Sequence, residues 1–255
     1  MAPKSIWNGT ISFGLAAVPI KLYSATESKT VSFNEVHVSD GARIEHKRIC
    51  SKEGKEVPYK DVVKGYEVSE GEYVALDKDE VAAAAGSRGK VIELEQFVPE
   101  GEIDPIFFEK TYYVGSRDDT EPYRVLLAAL ERTSTVGIGR FTFHNREYLA
   151  AVRNLGGVLA LHTMRFHDEI VHAGDLDTPR AGKAPTKQEV QMAGQLVESL
   201  HRKFKPEDYE DTYREAVLEL IKRKAKGEEL APPEPEPEEE PDDLAAALQA
   251  SLGSR

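Results

Sequence analysis

The sequence has little cysteine and no long apolar run. Cys50 is the single cysteine among 255 residues, so no internal disulfide can form, as is usual for proteins of a reducing cytoplasm. No stretch approaches the roughly 20 apolar residues that a membrane-spanning helix requires. The first residues lack the apolar segment of a secretory signal. We therefore expect a cytoplasmic chain that has no membrane association.

Recognisable catalytic and cofactor-binding motifs are also lacking. Residues 86–91 (GSRGKV) contain neither the leading glycine nor the hydroxyl residue of a phosphate-binding loop, and GxSxG and HExxH are missing. His46 and Cys50 are the only tempting metal pair, but a structural zinc needs four ligands and no second cysteine follows. We interpret the chain as a non-enzyme and expect no catalytic residue, no cofactor and no metal site.

Acidic residues outnumber basic ones, and the two are unevenly distributed. The formal net charge is -12, which taken alone argues against a nucleic-acid partner. Nine acids and one base, however, lie in residues 227–255, whereas seven bases and four acids lie in residues 43–64. A local basic strip and a separate acidic tail therefore describe the chain better than its total charge.

The first two-thirds of the sequence shows the alternating pattern of β-strands. The predicted strands are residues 5–13, 18–23, 31–38, 72–76, 90–97, 107–114, 139–143, 147–152 and 158–166. The gaps at residues 144–145 and 154–157 hold residues that tolerate positive φ, which favours an antiparallel meander. Asp77 and Glu80 form a capping-box pattern before one short helix, and Pro122 suits the start of a second.

The last third of the sequence changes to a helical pattern. A capping box at Thr186 and Glu189 precedes apolar residues at spacings of three and four, and a second helix runs from Asp211 to Gly227. Residues 175–185 are typical of a linker, and the Pro/Glu-rich tail should be disordered. We predict domains at residues 1–175 and 176–227, followed by a disordered tail at 228–255. Residues 244–252 are either a partner-binding helix or a frayed end.

Residues 43–67 form the most unusual segment, which we call the basic strip. It is longer than an ordinary connection, and its bases are spread along its whole length. An extended chain rises about 3.3 Å per residue, so such a strip could follow several phosphates of a duplex. Without Asn or Gln readers it predicts contact that is independent of base sequence. A solvated, ion-paired hairpin is the alternative that charge alone leaves open.

Several separate motifs, in the same order, resemble those of prokaryotic Ku proteins. The opening is SIWNGTISFGL at residues 5–15 and VPIKLYSAT at 18–26, and the basic strip contains KRIC, EVPY and VKGYE. Further matches are IDPIFF at 103–108, REYLAA at 146–151, MRF at 164–166 and KRK at 222–224. The resemblance covers about residues 5–226.

This resemblance implies a mainly β fold, namely a seven-stranded β-barrel core with a long inserted arm (about residues 40–75), a small α-helical C-terminal part and the acidic tail. It implies a nucleoid-associated homodimer whose arms close a ring around ends of double-stranded DNA. It also implies recruitment of an ATP-dependent DNA repair ligase of the ligase D type, through the C-terminal region, for non-homologous end joining. The residues expected to contact DNA are Arg43, Lys47, Arg48, Lys52, Lys55, Lys60 and Lys64, with Lys21 as a weaker candidate on the barrel.

The sequence departs from the family's pattern at two places. Some members carry a Cys-x-x-Cys in the inserted arm, but Glu53 stands at the second position here, so a zinc knuckle is not expected. The tail is acidic rather than basic, and it is expected to repel DNA or to keep the C-terminal helices available to the ligase. Two other functions remain open: a lyase at abasic sites that uses a lysine Schiff base, and an acidic-tailed scaffold without a DNA role.

Overall fold

Seven strands form a closed β-barrel in the computed structural model, which describes residues 3–84, 90–117, 121–143, 146–175 and 184–228. The strands are β1 (Trp7–Phe13), β2 (Ala16–Ser24), β3 (Lys64–Ser69), β4 (Glu72–Leu76), β5 (Val91–Pro99), β6 (Phe108–Ser116), β7 (Thr135–Phe143), β8 (Arg146–Leu155) and β9 (Val158–Met164). The barrel order is β1-β2-β6-β9-β8-β7-β5, and β3 pairs only with β4. The predicted mainly β barrel fold is confirmed.

Side chains that point alternately inward and outward along each strand fill the barrel interior. Ile11, Ile20 and Ile92 are fully buried at alternate positions of their strands, and Phe141 is the largest fully buried side chain. Neighbouring strands pair antiparallel except β1 and β5, which run parallel and close the barrel. The inward residues therefore form one continuous core, as expected for a small barrel filled by side chains.

Helix α2 (Glu121–Thr133) covers one end of the barrel. Its buried Leu126 and Leu130 belong to the same core as the inward strand residues. The Tyr123 hydroxyl donates to the Val114 carbonyl at 2.7 Å and accepts from the Leu159 amide at 3.1 Å. These contacts lie at the end of β6 and the start of β9, so they fix which barrel end the helix closes.

The outer surface of the barrel holds a buried histidine. His162 on β9 is 6% exposed, and its Nε2 accepts from Arg153 Nε at 2.9 Å. Its Nδ1 lies 2.9 Å from the Thr111 hydroxyl. Burial and then the nearby Arg153 guanidinium lower the pKa of His162 to about 4, with Glu100 acting in the opposite direction. The ring is therefore neutral at pH 7.

Local sequence rules account for the caps and turns. Asp77 Oδ1 accepts from the Asp79 and Glu80 amides at 2.8 Å, which confirms the first capping box before α1 (Lys78–Ala84). In the β8–β9 turn, Gly156 and Gly157 have φ of 62° and 88°, as their place in a tight hairpin predicts. The predicted turn at residues 144–145 lies outside the described residues.

The prediction of a strand at residues 31–38 is wrong. The segment forms no strand and makes a single isolated bridge, from Val36 to Arg43. Its apolar residues alternate without any core to cover, since Phe33, Val36 and Val38 are all more than half exposed. The opposite error occurs at β3, which was not predicted because its glycine and charged residues gave only a weak strand pattern.

Contacts divide the chain into two units, and the second comprises Lys29–Phe33 and Leu176–Arg255. Its described part holds α3 (Lys187–Leu200) and α4 (Thr212–Ala225). Thr186 and Glu189 form the predicted capping box, and Gly227 has a φ of 83° after the end of α4. Neither of these two helices contains a buried residue. The acidic tail from residue 229 onward lies outside the described residues.

No helix within the described ranges combines the length and the apolarity that crossing a bilayer requires.

Candidate nucleic-acid interface

The predicted inserted arm lies inside a longer insert, residues 25–90, that leaves the barrel after β2 and returns at β5. Three successive turns shape it. The first lies between the bridged residues Val36 and Arg43, the second between Ile49 and Glu56, and the third joins β3 to β4. Each turn contains a glycine with positive φ, a conformation that glycine adopts without steric cost. The described part of the insert thus consists of three successive turns followed by a short helix at Lys78–Ala84.

All seven predicted cations of the arm have exposed side chains. They are distributed over the second turn, its flanks and the start of β3, in the order Arg43, Lys47, Arg48, Lys52, Lys55, Lys60 and Lys64. Lys21, the eighth candidate, lies instead on barrel strand β2 opposite Asn8 and Gly115 and is half-buried. The structure thus groups seven of the eight candidates on one insert and places the eighth apart from it.

Two of the arm cations have partners. Lys47 Nζ lies 2.7 Å from Glu56 Oε2, and both side chains are more than half exposed. The Arg48 guanidinium lies over the Tyr59 ring, 4.9 Å from its centroid. Exposed ion pairs contribute at most about 1 kcal/mol, so Lys47 can exchange Glu56 for a phosphate. Arg48 keeps its charge while the ring restricts its motion.

The other five arm cations make no ion pair with any residue that the structure describes. Among the acids of the insert, Glu35 pairs with His46 at 2.8 Å, and Glu67 accepts from the Gly71 amide at 3.0 Å. Three acids of the basic strip make no ion pair with a described residue, namely Glu45, Glu53 and Asp61. One cation of seven is thus held by a carboxylate. The arrangement favours a cationic surface over the ion-paired hairpin that the charge pattern had left open.

The β3–β4 hairpin exposes its apolar side chains. Every residue of both strands is exposed, and the cross-strand pair Tyr66–Val74 shares a face with Leu76. Tyr66 is 69% exposed and Tyr73 64% exposed. A lone two-stranded hairpin is only marginally stable in water, and exposed apolar patches mark interaction surfaces. No described part of the chain therefore covers this hairpin.

Backbone hydrogen bonds close the turn that follows Cys50. The Cys50 amide donates to the Lys55 carbonyl at 2.8 Å, and the Gly54 amide donates to the Cys50 carbonyl at 2.8 Å. Glu53, three positions after Cys50, lies inside this turn. Among the described residues no group of three or more metal-binding side chains comes together. The turn is thus formed by main-chain pairing.

Sequence reasoning missed the aromatic part of the arm. Tyr59 lies against Arg48, and Tyr66 is exposed within β3. The Arg48–Tyr59 contact spans eleven positions, so no local spacing rule could have found it. The large exposed fraction of the Tyr66 side chain indicates an interaction surface on the β3–β4 hairpin.

A closed seven-stranded barrel with an exposed insert that carries the basic strip defines a β-barrel protein with a candidate surface for a polyanion. The family profile described as "Ku70/Ku80 beta-barrel domain" matches residues 12–192. The chain belongs to the Ku family. It is 46% identical to a "Non-homologous end joining protein Ku" of Anaeromyxobacter sp. (strain K) over 254 residues, which are 98% of this chain and 86% of that protein.

Two further relatives carry the same name. The protein of Bacillus subtilis (strain 168) is 36% identical over 252 residues, covering 97% of this chain and 81% of the relative. The protein of Mycolicibacterium smegmatis is 36% identical over 265 residues, covering 99% of this chain and 82% of the relative. The similarity therefore extends through the barrel, the insert and the C-terminal helices.

Proposed function

We propose that this chain acts in non-homologous end joining by binding ends of double-stranded DNA as a homodimeric ring, without reading base sequence. The observation that carries the proposal is the basic strip, where seven exposed cations outnumber four acids and one cation, Lys47, is paired with a carboxylate of the described residues. The names of its relatives support an end-joining role. Such a protein would work on the nucleoid in the cytoplasm.

Electrostatics accounts for both the affinity and the lack of sequence preference. Lysine and arginine side chains that replace counterions along phosphates make binding strongly dependent on salt. Contacts to phosphate oxygens carry no base information. An enclosing surface of this kind can move along the duplex and accept any sequence, but it can load only where the duplex has an end.

The exposed hairpin supports pairing between two copies of the chain. A two-fold dimer uses the same patch on both subunits, and the apolar face of Tyr66, Val74 and Leu76 needs a covering surface. We expect the change Tyr66→Glu to weaken the dimer, because it places a charge in the covered face. Sedimentation equilibrium of this variant and of Tyr59→Glu, a control outside the hairpin, would show the difference.

The C-terminal helices suit the recruitment of a partner. Val190 and Val197 on α3 and Leu218 and Ile221 on α4 are all more than 40% exposed, so their apolar side chains are available to another protein. We propose that this region holds an ATP-dependent DNA repair ligase of the ligase D type. Pull-down of purified ligase by the full chain and by Val190→Asp/Val197→Asp would test this contact.

The ring is tested by comparing linear and closed-circular DNA of identical sequence. A ring requires complexes on the linear form alone, with the number of bound dimers increasing with duplex length. Relinearising the circular DNA with a nuclease should restore binding. Equal affinity for both forms would overturn the ring, while binding to neither form would overturn the DNA role.

A further inference from the structure

The barrel has one open end. Helix α2 contacts Val114 and Leu159 at one end, whereas a cavity of about 300 Å³ opens among residues toward the other ends of these same strands, including Lys110 and Thr163. We call this cavity the barrel mouth. Ligand sites occur often in the mouths of β-barrels. No described residue of the insert lines this cavity.

Three aromatic rings form one wall of the barrel mouth. The Tyr112 ring meets that of Phe143 edge-on at 6.3 Å, and Phe143 lies 6.5 Å from the Tyr148 ring. Aromatic faces attract cations, and the Tyr148 ring already has the Arg146 guanidinium 5.2 Å from its centroid. The wall is therefore suited to a flat or cationic group.

A β-bulge directs charged residues into the barrel mouth. The β6–β9 register shifts between Phe108 and Lys110, so Glu109 is an extra residue and lines the cavity together with Lys110. Bulges often re-aim side chains beside functional sites. The Glu109 carboxylate accepts one long hydrogen bond, 3.3 Å from the Thr163 hydroxyl. It makes no ion pair with any described residue, Lys110 included.

The tyrosine hydroxyls of the barrel mouth can also accept further hydrogen bonds. Neither Tyr112 nor Tyr148 hydrogen-bonds through its hydroxyl to a residue in the described part of the chain. Burial raises the pKa of Tyr112, and the nearby Tyr148 and Glu109 raise it further. The surroundings of Tyr112 therefore disfavour negative charge. A phosphate would be poorly placed there, whereas a donor-rich cation would find acceptors.

We propose that the barrel mouth binds the guanidinium of an arginine side chain presented by a basic peptide segment of a partner protein. The three rings provide one wall for the planar cation, Glu109 supplies the opposing charge, and the hydroxyls of Tyr112 and Tyr148 accept its N–H groups. Lys110 on the rim and Arg146 at the Tyr148 ring oppose the incoming cation. The site is distinct from the arm that we assign to DNA.

The test titrates the full-length protein with the blocked tripeptide Gly-Arg-Gly and with its neutral citrulline analogue, observing tyrosine ring signals by NMR. We expect saturable shifts at Tyr112 and Tyr148 with arginine and none with citrulline. Glu109→Gln should weaken binding about two- to fivefold, the range for an exposed ion pair. Glu93→Gln, an outward carboxylate on β5, is the matched control and should change nothing.

The variant Lys110→Met distinguishes a cationic ligand of the barrel mouth from a phosphate-bearing ligand. Removing this charge should tighten arginine binding by a similar factor, because it removes a repulsion. Weaker arginine binding in Lys110→Met would contradict the repulsion on which the proposal depends and would overturn it. Saturable shifts with adenosine monophosphate in place of the tripeptide would assign the barrel mouth to a phosphate-bearing ligand and would overturn it too. Absence of saturable shifts with any probe would overturn it as well. Unchanged thermal melting and DNA binding of the variants would exclude misfolding and leave the arm's role untouched.

Discussion

The arm makes a quantitative prediction about salt. Lys52, Lys60 and Lys64 lie in the turn, in a short 3-10 helix and at the start of β3, and none is paired with a described residue. Replacing all three by alanine removes six cations from the proposed dimer. Each lost phosphate contact lowers the slope of log K against log salt by about 0.9. If all six contact phosphates, the slope becomes shallower by about 5.

The assay is fluorescence anisotropy of a labelled linear duplex, measured at several salt concentrations between 50 and 300 mM, roughly the range in which such slopes are determined. Lys4, Lys90 and Arg132 supply the control, since they are exposed cations outside the arm. Their triple alanine variant changes net charge equally and should leave the slope almost unchanged. Equal losses in both variants would show that total charge matters rather than the arm, and that result would refute the reasoning.

Three further predictions concern single residues. Glu56→Gln releases Lys47 and should tighten DNA binding and steepen its salt slope, as measured by the same anisotropy assay. The pKa of His162 in the folded barrel is about 4, below its unfolded value of 6.5, so the unfolded state takes up the proton first. Stability should therefore fall by about 3 kcal/mol as pH drops from 6.5 to 4, and urea titrations of His162→Gln should show a smaller fall. A β-carbon on Gly139 would lie 2.0 Å from a backbone carbonyl oxygen, so Gly139→Ala should lower thermal stability by about 1–3 kcal/mol, whereas Gly101→Ala, in open space, should not.

Strands with one buried face were predictable from the sequence. In β1 and β2 the inward residues Ile11, Val18 and Ile20 alternate with outward ones, which is the pattern that period-two reasoning detects. The same reasoning fails for segments whose apolar residues are exposed. Phe33 and Val36 belong to an alternating segment that joins no sheet. An alternating pattern indicates that a segment has two different faces, but it does not indicate whether either face packs against a core.

The candidate DNA surface was predictable in outline but not in detail. Charge counting locates the arm, since the bases are close in sequence. Which cations are paired depends on contacts such as Lys47 with Glu56, nine positions apart across a turn. The barrel mouth could not be predicted at all, because it depends on a one-residue register shift before Lys110 and on rings from three strands.

The parallel pairing of β1 with β5 has a consequence for how the polypeptide folds. Strand β1 is flanked by β2 and β5. The insert therefore begins after one neighbour of β1 and ends at the other. Closing the sheet must bring together positions about 80 residues apart, such as Thr10 and Val91, and such long-range closure makes folding slow. Loop-closure entropy, however, changes by only about 0.6 kcal/mol for each doubling of loop length. Evolution could therefore lengthen or shorten the insert with little effect on the stability of the sheet that carries it.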